Sequence, residues 1–491
     1  MVKHSLSHRK SLVSPNRIHV FVFVGFLATL VVGYRLFRLT YIDHVVYAQS
    51  AQRQQVAPSA RLLGRGSVFV FDLSGGEKKL VATNSVTELD TERLYPKGTF
   101  AAHVLGFVGY NEHDRVGQYG VEGFYDSVLR ASASNQKNIG SDVVLTIDPN
   151  IQAYSEATLQ ALLKKWSSPR GSIIVQEPTT GAILAMTSSP SFDPNQYGQF
   201  AFDDYVNPIV QEQFEPGSSF KPVTMAAALD SGSITPTTTY DDTGAVTIGT
   251  YTIKNFNEKT NGLQTMRQVL EKSLNTGTIF AQRRTGNDAF LNYIVAFGFG
   301  QKTGVDLAGE VPGTISNLYQ GRAINFATAS FGQGIAVTPL QLVSAYSAIA
   351  NGGRLMKPYV VREIVHADGS STMTKPSILG APISEKTSTQ LRSMLVDVVE
   401  KGFDKARIKG YDVAGKTGTA QIPNREGGYL EDEQFIHNFV GFAPAYAPRF
   451  VILIKMDKPK GITFASDSLS PVFGDLASFI LRYLKVPPTR Q

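Results

Sequence analysis

The longest apolar run of the chain extends from Ile18 to Tyr34 and is apolar on every side, without the polar stripe that a surface-facing core helix carries. Extended to residue 37, the run approaches the roughly 20 residues that cross a bilayer. A cleaved signal peptide is the other interpretation, but the nearest small-residue site, around Ala48, lies well past the apolar run. The pattern therefore predicts a retained transmembrane helix over residues 18–37.

Residues 38–140 combine polar segments with short apolar stretches. Thr40–Gln55 is polar and compatible with a helix, which indicates a stalk. The apolar run Val68–Phe71, followed by a Ser-Gly-Gly turn at 74–76, predicts a β-hairpin. Small polar residues at 131–140 indicate a linker. We therefore expect a stalk and a small β-rich pedestal domain that together end at this linker.

Residues 141–491 contain a longer series of predicted elements. Asn150–Trp166 has the 3.6-residue period of a helix, and strands at 171–175 and 183–186 flank a Thr-Gly turn typical of a hairpin. The other predicted helices are at 222–229, 265–274, 288–297, 339–350, 387–400 and 469–484. The other predicted strands are at 143–147, 411–422 and 439–456, and the last is interrupted at Pro444 and Pro448. Neighbouring strands and helices in one long region predict an α/β (α+β) domain, with a mainly antiparallel sheet flanked by helices.

The composition limits the possible chemistry of the protein, and the distribution of charge predicts how the chain is oriented in the membrane. None of the 491 residues is cysteine, which excludes disulfides, thiolate metal sites and a cysteine nucleophile. The net charge is +6, but four of the positive charges lie in residues 1–17, before the apolar run. Such a cluster predicts a cytoplasmic basic tail and places the remainder of the chain outside the cell membrane. The remainder is nearly balanced in charge, so we expect no nucleic-acid partner.

A Ser-x-x-Lys pair occurs at Ser218 and Lys221, behind a Pro-Gly turn and at the start of an alanine-rich helix. Residues three apart share a helix face, so the hydroxyl and the amine lie within reach of each other. A desolvated lysine near another cation can be neutral and accept the serine proton, and the helix N-terminus favours an oxyanion. The same spacing occurs at 7–10 and 134–137. By itself, the spacing therefore fits a catalytic pair and an ordinary solvent-exposed serine and lysine equally well.

Ser273 and Asn275 lie at the end of a predicted helix and before a Thr-Gly pair. A hydroxyl and an amide at this place could relay a proton and hold the amide of a substrate. An ordinary helix C-terminal cap is an equally good interpretation of the two residues.

A Lys-Thr-Gly-Thr sequence lies in a predicted strand and consists of Lys416, Thr417, Gly418 and Thr419. Gly418 lets a substrate backbone approach closely, and the N–H of Thr419 can be an oxyanion donor beside that of Ser218. Lys416 and the threonine hydroxyls are suited to bind a carboxylate. A second Lys-Thr-Gly at 302–304 lies in a glycine-rich stretch without strand alternation, which predicts a turn.

In this order and at these separations, the three motifs resemble the signature of the penicillin-binding serine acyl transferases. The surrounding sequences EPGSSFKP at 215–222, KSLNTG at 272–277 and AGKTGTAQ at 414–421 are also similar to those of the family. ARLLGRGSVFVFD at 60–72 and HVLGFVGYNEHDRVGQYGVEGFYDSVLR at 103–130 resemble the pedestal, or dimerisation-type, domain of the class B monofunctional members. The resemblance covers nearly the whole chain past the apolar run.

The resemblance implies a peptidoglycan D,D-transpeptidase. Ser218 would attack the carbonyl between the two terminal D-alanines of a stem peptide, and Lys221 would take its proton. Ser273 would pass that proton to the leaving amine, while Asn275 would hold the amide on the acyl side. An amine from a neighbouring stem peptide would then attack the acyl-enzyme and form the cross-link.

The family's substrate also implies the remaining roles and the partners. Lys416, Thr417 and Thr419 would hold the terminal carboxylate, and β-lactams would acylate Ser218. No cofactor is expected, and no metal either, because the histidines lack metal-ligand spacing. Expected partners are strands derived from lipid II, the membrane, a membrane glycosyltransferase and other proteins of cell-wall synthesis. A D,D-carboxypeptidase, which uses water as acceptor, and an inactive envelope scaffold that binds β-lactams remain the alternatives.

Overall fold

The computed structural model describes residues 15–42, 62, 64–86, 91–111, 114–130, 139–256, 258–402, 404–422, 424, 429 and 434–490. The chain divides into two compact units, Met1–Ala60 and Arg61–Gln491. Most of the predicted tail, stalk and linker lies outside the described residues, as does most of the loop 425–433.

The first unit contains the helix Pro15–Phe37, followed by a π-helical turn at Arg38–Ile42. Proline suits the first turn of a helix, since its missing N–H would have no partner there, and Arg35 in the last turn complements the helix dipole. Its described apolar side chains are exposed; Phe23, for example, is 64% exposed. No helix formed by the described residues is long and apolar enough to cross a membrane, so the predicted span at 18–37 is not confirmed.

The second unit begins with a hairpin of Val68–Asp72 and Glu77–Val86, in agreement with the predicted hairpin. Asp72 forms the turn because its carboxylate accepts hydrogen bonds from the N–H groups of Ser74 and Gly75. The hairpin belongs to a six-stranded sheet with the order Ser371–Met373, Val361–Val365, Asp142–Leu145, Val68–Asp72, Glu77–Val86 and Thr91–Leu94. One pair, Val68–Asp72 with Asp142–Leu145, is parallel. The sheet therefore joins strands from both sides of the predicted linker.

A five-stranded antiparallel sheet forms the centre of this unit. Its strands, in order across the sheet, are Ala414–Gln421, Phe435–Ala443, Phe450–Asp457, Arg170–Gln176 and Ile183–Ser189. The predicted strand at 439–456 is two strands, because the chain reverses between Ala443 and Phe450, where Pro444 and Pro448 lie. The strand Ala414–Gln421 lies at one edge of the sheet, with one side available to other elements.

Helices cover both faces of the five-stranded sheet. On one face, Pro149–Trp166 and Ser470–Tyr483 share a buried cluster with side chains such as Ile173 and Ile452. On the other face, Pro339–Ala350 packs against the neighbouring side chains of the same strands. Successive strand residues point to opposite faces, so both faces of these apolar strands are buried. The result is a mixed α/β fold, as predicted.

The remaining elements of the second unit are short. Its other α-helices are Ala102–Leu105, Gly120–Phe124, Asp126–Leu129, Phe202–Tyr205, Pro208–Gln211, Lys221–Asp230, Met266–Glu271, Asn275–Thr285, Asn287–Ala296, Ala323–Ala329, Glu385–Asp397 and Ala465–Ser468. Its 3₁₀ turns are Pro194–Gln199, Gly217–Phe220, Leu318–Gln320 and Asp404–Ala406, with a π-helical turn at Val398–Gly402. Two-stranded sheets pair Phe107–Asn111 with Asp114–Gln118, Thr239–Asp242 with Gly262–Thr265, Ala245–Ile248 with Tyr251–Lys254, and Leu355–Met356 with Ile378–Gly380.

Candidate active site

Ser218 lies in the 3₁₀ turn Gly217–Phe220, one turn before the helix that Lys221 begins. Gly217 has φ +59°, and a Cβ there would lie 3.1 Å from the carbonyl oxygen of Thr419. Glycine therefore allows the turn to approach the edge strand closely. The half-buried Ser218 hydroxyl makes no hydrogen bond to another described residue, so the expected Ser218–Lys221 contact is not formed.

The Lys221 amine is directed to Ser273 instead. Lys221 is fully buried, and its Nζ donates to the Ser273 carbonyl oxygen at 2.5 Å and lies 3.2 Å from Ser273 Oγ. This contact joins the first motif to the second across 52 positions of sequence.

Ser273 lies between two helices, where the sequence predicted one helix over 265–274. The first helix is Met266–Glu271, and Asn275 begins the second, Asn275–Thr285. Ser273 has φ +58°, a left-handed conformation that is uncommon for a residue with a side chain. The first helix ends here in a C-terminal cap, because the Ser273 N–H donates to the Leu270 carbonyl oxygen at 3.2 Å and the Leu274 N–H donates to that of Val269 at 2.9 Å. The cap interpretation is therefore correct for Ser273 and wrong for Asn275, which begins the next helix.

Lys416 completes the cluster from the edge strand Ala414–Gln421. Its side chain is fully buried, and Nζ donates to Ser273 Oγ at 2.9 Å and to the Thr417 carbonyl oxygen at 3.2 Å. The Ser273 hydroxyl therefore lies between the amines of Lys221 and Lys416. The sequence alone did not predict this contact between the second and third motifs.

Burial controls the charge of both amines. Burial lowers the pKa of Lys221 well below its ordinary value, and the charge of Lys416 lowers it further. Burial also lowers the pKa of Lys416 to about 7. A neutral amine can accept a proton, so the cluster can act as a base near neutral pH.

Gly418 allows the edge strand to lie against the turn that carries Ser218. A Cβ at Gly418 would lie 2.5 Å from the carbonyl oxygen of Pro216 and equally close to Nδ2 of Asn438. Asn438, on the next strand, donates to the same Pro216 oxygen at 3.0 Å. The sequence reasoning missed Asn438, because its contact depends on the pairing of two strands.

The other predicted residues lie nearby with partners of their own. Thr417 is buried, and Oγ1 of Thr419 accepts a hydrogen bond from the Ala465 N–H at 3.3 Å. Asn275 is half-buried, and its Nδ2 donates to the Lys254 carbonyl oxygen at 2.9 Å. The structure therefore brings Ser218, Lys221, Ser273, Lys416 and Gly418 together, and it places Asn275, Thr417 and Thr419 beside them.

The second Lys-Thr-Gly, at 302–304, lies in an irregular segment away from any strand, as predicted. Glu310 accepts hydrogen bonds from the Thr303 hydroxyl and from the N–H groups of Thr303 and Gly304. This triplet makes none of the described contacts with the cluster around Ser273.

Two further residues near the site were not predicted to support it. Tyr346, fully buried, donates to the Ser219 carbonyl oxygen at 2.7 Å and so supports the turn that carries Ser218. Glu215, before that turn, accepts from the Gly334 N–H at 2.9 Å and from the Tyr429 hydroxyl at 3.0 Å. All three hydrogen bonds join distant segments, so no local pattern could have predicted them.

Comparison with known proteins agrees with the geometry. Residues 171–478 match the penicillin-binding protein transpeptidase domain, and residues 77–142 match the penicillin-binding protein dimerisation domain. Stage V sporulation protein D of Bacillus subtilis is 36% identical over 428 residues, which are 82% of this chain and 65% of that protein. The probable peptidoglycan D,D-transpeptidase PenA of Neisseria meningitidis is 30% identical over 438 residues, 84% of this chain and 72% of PenA.

A solved structure is similar over a comparable length. The crystal structure of penicillin-binding protein 3 of Mycobacterium tuberculosis complexed with ampicillin has a TM-score of 0.78 and 31% sequence identity, and the match covers 87% of this chain and 97% of that one. The chain therefore belongs to the class B penicillin-binding proteins, which confirms the resemblance seen in the sequence. It spans about two thirds of the length of the curated relatives that it matches.

Proposed function

We propose that this protein is a peptidoglycan D,D-transpeptidase that works through an acyl-enzyme on Ser218 and is covalently inhibited by β-lactams. The observation that carries the proposal is the Ser273 hydroxyl held between the buried amines of Lys221 and Lys416, beside the turn of Ser218. Ampicillin bound to a structurally similar protein and the name of PenA support the same substrate class.

Acylation begins when Ser218 Oγ attacks the carbonyl carbon between the two terminal D-alanines. The neutral amine of Lys221 accepts the hydroxyl proton, which makes the serine a competent nucleophile. The N–H groups of Ser218 and Thr419 stabilise the oxyanion. When the peptide bond breaks, Ser273 passes a proton to the departing D-alanine amine, and the acyl group remains on Ser218.

Substrate binding uses the remaining predicted residues. Asn275 holds the amide on the acyl side, while Lys416, Thr417 and Thr419 hold the terminal carboxylate. Gly418 contributes the open strand edge along which an extended peptide can lie. An amine of a neighbouring stem peptide then attacks the ester and restores the Ser218 hydroxyl, whereas a carboxypeptidase would use water in this step.

The proposed location is the cell membrane, with the N-terminus in the cytoplasm and the transpeptidase domain outside. The exposed apolar side chains of the helix Pro15–Phe37 and the preceding basic residues support an anchor. There the enzyme would act on strands derived from lipid II, beside a membrane glycosyltransferase and other proteins of cell-wall synthesis. Carbonate extraction of membranes tests the anchor: the full chain should remain in the pellet, and release into the supernatant would contradict it.

Labelling with a fluorescent penicillin tests the nucleophile. The full chain should become covalently labelled, and Ser218→Ala should lose the label because it lacks the hydroxyl that forms the ester. Ser219→Ala is the matched control; its hydroxyl donates to the Pro216 carbonyl oxygen at 2.9 Å, away from the lysines, so labelling should persist. Equal labelling of Ser218→Ala and the unmodified protein would show that the nucleophile is wrongly assigned.

Product analysis separates the two acceptors. Incubation with a stem pentapeptide and an amine acceptor should yield the cross-linked peptide as well as free D-alanine. Release of D-alanine without any cross-linked product would indicate a carboxypeptidase. A protein that binds penicillin but releases no D-alanine would be a scaffold.

A further inference from the structure

A polar network surrounds Asp242, a fully buried carboxylate at the end of the strand Thr239–Asp242. Its Oδ1 accepts from Oγ1 of Thr276 at 2.7 Å and from Nδ2 of Asn255 at 2.9 Å. Its Oδ2 accepts from Nδ2 of Asn261 at 2.6 Å and from the Asn261 N–H at 3.1 Å. Asp242 therefore holds two separate segments, the chain around 255–261 and the helix that begins at Asn275.

Asn255 carries the link from Asp242 to the start of that helix. The residue before the helix, Leu274, has no side chain that could accept a hydrogen bond from the first N–H groups. Oδ1 of Asn255 accepts from the Thr276 N–H at 3.2 Å instead. Because Asp242 binds the amide nitrogen of Asn255 through both carboxylate oxygens, the Asn255 oxygen is directed at the helix.

The segment that contains Asn255 also contacts the Asn275 side chain, and it contacts Phe464, next to the residue that binds Thr419. We call residues 243–256 and 258–261 the arm. Nδ2 of Asn275 donates to the carbonyl oxygen of Lys254 in the arm. The ring of Phe256, also in the arm, contacts the ring of Phe464 with centroids 5.4 Å apart, and the next residue, Ala465, donates its N–H to Thr419. The arm therefore connects the residue beside Ser273 with the edge strand.

We propose that Asp242 is a positioning residue that holds Asn275 in the orientation needed to bind the acyl-side amide of the substrate. The proposal rests on the proposed function, in which Asn275 has that role. Asp242 acts through Thr276 and Asn255, which fix the first turn of the helix and the arm against the Asn275 side chain. Without the carboxylate, the Asn275 amide loses its fixed direction, while Lys221 and Lys416 keep their hydrogen bonds to Ser273.

The variant Asp242→Asn tests the role with little change in shape. Its amide nitrogen would replace an oxygen that accepts from Nδ2 of Asn261, so two donors would face each other. Two β-lactams report the result: benzylpenicillin, which carries an acyl amide for Asn275, and 6-aminopenicillanic acid, which lacks it. The acylation rate constant should fall about tenfold for benzylpenicillin, as expected for one lost hydrogen bond between Asn275 and the acyl amide, and no more than about twofold for 6-aminopenicillanic acid.

Three other variants control for folding and charge. Asp241→Asn removes the same charge one position earlier, on the exposed side of the strand, and should leave both rates unchanged. The double variant Asp242→Asn with Asn261→Asp gives the new amide at 242 a carboxylate acceptor at 261. Much of the acylation rate with benzylpenicillin should therefore return. Thr276→Val removes the 2.7 Å hydrogen bond to Asp242, together with the longer 3.2 Å hydrogen bonds of the same hydroxyl to Asn255 Oδ1 and the Tyr240 hydroxyl. It should lower the benzylpenicillin rate selectively even if Asp242→Asn does not fold.

The outcomes separate this proposal from the proposed function. Unchanged rates in Asp242→Asn, or equal losses for both β-lactams, would overturn the positioning role and leave the transpeptidase assignment intact. If Asp242→Asn does not fold, Thr276→Val decides instead: equal losses of the acylation rate for both β-lactams would overturn the positioning role. An unmodified protein that neither β-lactam acylates would overturn the proposed function, and the positioning role with it.

Discussion

Two clusters of buried ionisable side chains among the described residues of the second unit differ in how the cost of burying charge is offset. Near the N-terminal end of the unit, the carboxylate of Glu122 accepts from Nε of Arg65 at 2.8 Å and from Nε of Arg93 at 2.7 Å. In the candidate active site, Lys221 lies beside a second buried lysine and makes no ion pair with a described residue. Arg65 also pairs with Asp126 at 2.7 Å, so two guanidinium groups in the first cluster meet two carboxylates. In the second cluster, burial favours the neutral form of Lys221.

The direction of each pKa follows from this difference. Burial alone would raise the pKa of Glu122, but the charges and hydrogen bonds of Arg65 and Arg93 lower it below its ordinary value. For Lys221, burial and the neighbouring lysine act in the same direction, and the neutral amine is favoured. A balanced cluster holds structure together, whereas an unbalanced one provides a base.

The largest expected effect comes from removing the base. Lys221→Met should lower the rate of acylation by benzylpenicillin by a factor of about 10² to 10⁴, the usual contribution of a general base. The free energy of unfolding should change little, because the gain from replacing a buried amine by an apolar side chain of similar length is offset by the lost donor to the Ser273 carbonyl oxygen. Acylation kinetics and urea unfolding measure the two quantities.

The second Lys-Thr-Gly sequence offers the control for this variant. Lys302 is exposed, and Lys302→Met should leave the acylation rate unchanged. A Lys221→Met protein that still reacts at the original rate would remove lysine from the base role and, with it, the contrast between the two clusters.

The balanced cluster should respond in the opposite way. Glu122→Gln leaves the buried guanidinium of Arg93 without a carboxylate and Arg65 with Asp126 alone, and we expect the free energy of unfolding to fall by about 3–5 kcal/mol. The folded fraction should still be acylated at the original rate, because Glu122 makes no contact with the lysine cluster. Urea unfolding and penicillin labelling of one preparation measure both. A loss of activity without a loss of stability would contradict the structural role.

The smallest effect is a change in the pH dependence of stability. Lys416 has a pKa of about 7 in the folded protein and an ordinary value of 10.5. Between these values the unfolded chain binds the proton that the folded chain lacks, so this residue makes the free energy of unfolding rise with pH. In Lys416→Met that contribution should be absent. Unfolding of both proteins at several pH values in this window measures the difference, and parallel curves would mean that Lys416 stays charged when folded.

The sequence predicted those parts of the fold that have a local cause. The helix Pro339–Ala350 matches its predicted bounds, because Thr338 and Gln341 form a capping box and proline occupies the first helical position. The helix before Ser273 was predicted to end at 274, three residues beyond its end at Glu271, because Leu270 and Leu274 continue the helical period past that point. The chain turns at Ser273 with a positive φ, while the carbonyl of that residue binds Lys221 from another segment.

The candidate site was predicted as a set of residues, but its connections were not. Motif order and spacing indicated Ser218, Ser273 and Lys416, yet neither indicates which amine binds which hydroxyl. The Lys416–Ser273 hydrogen bond joins residues 143 positions apart and depends on the order of strands in the central sheet. Such pairings result from packing of the whole unit, and single elements carry no signal for them.

The six-stranded sheet has a consequence for anyone who would isolate the catalytic region. Asp142–Leu145 lies between Val361–Val365 and Val68–Asp72, so a fragment starting at residue 141 would lack one of its two neighbours. The backbone N–H and C=O groups on that side would then be available to a strand from another molecule. Self-association, rather than a well-behaved monomer, is the behaviour to anticipate from such a truncation.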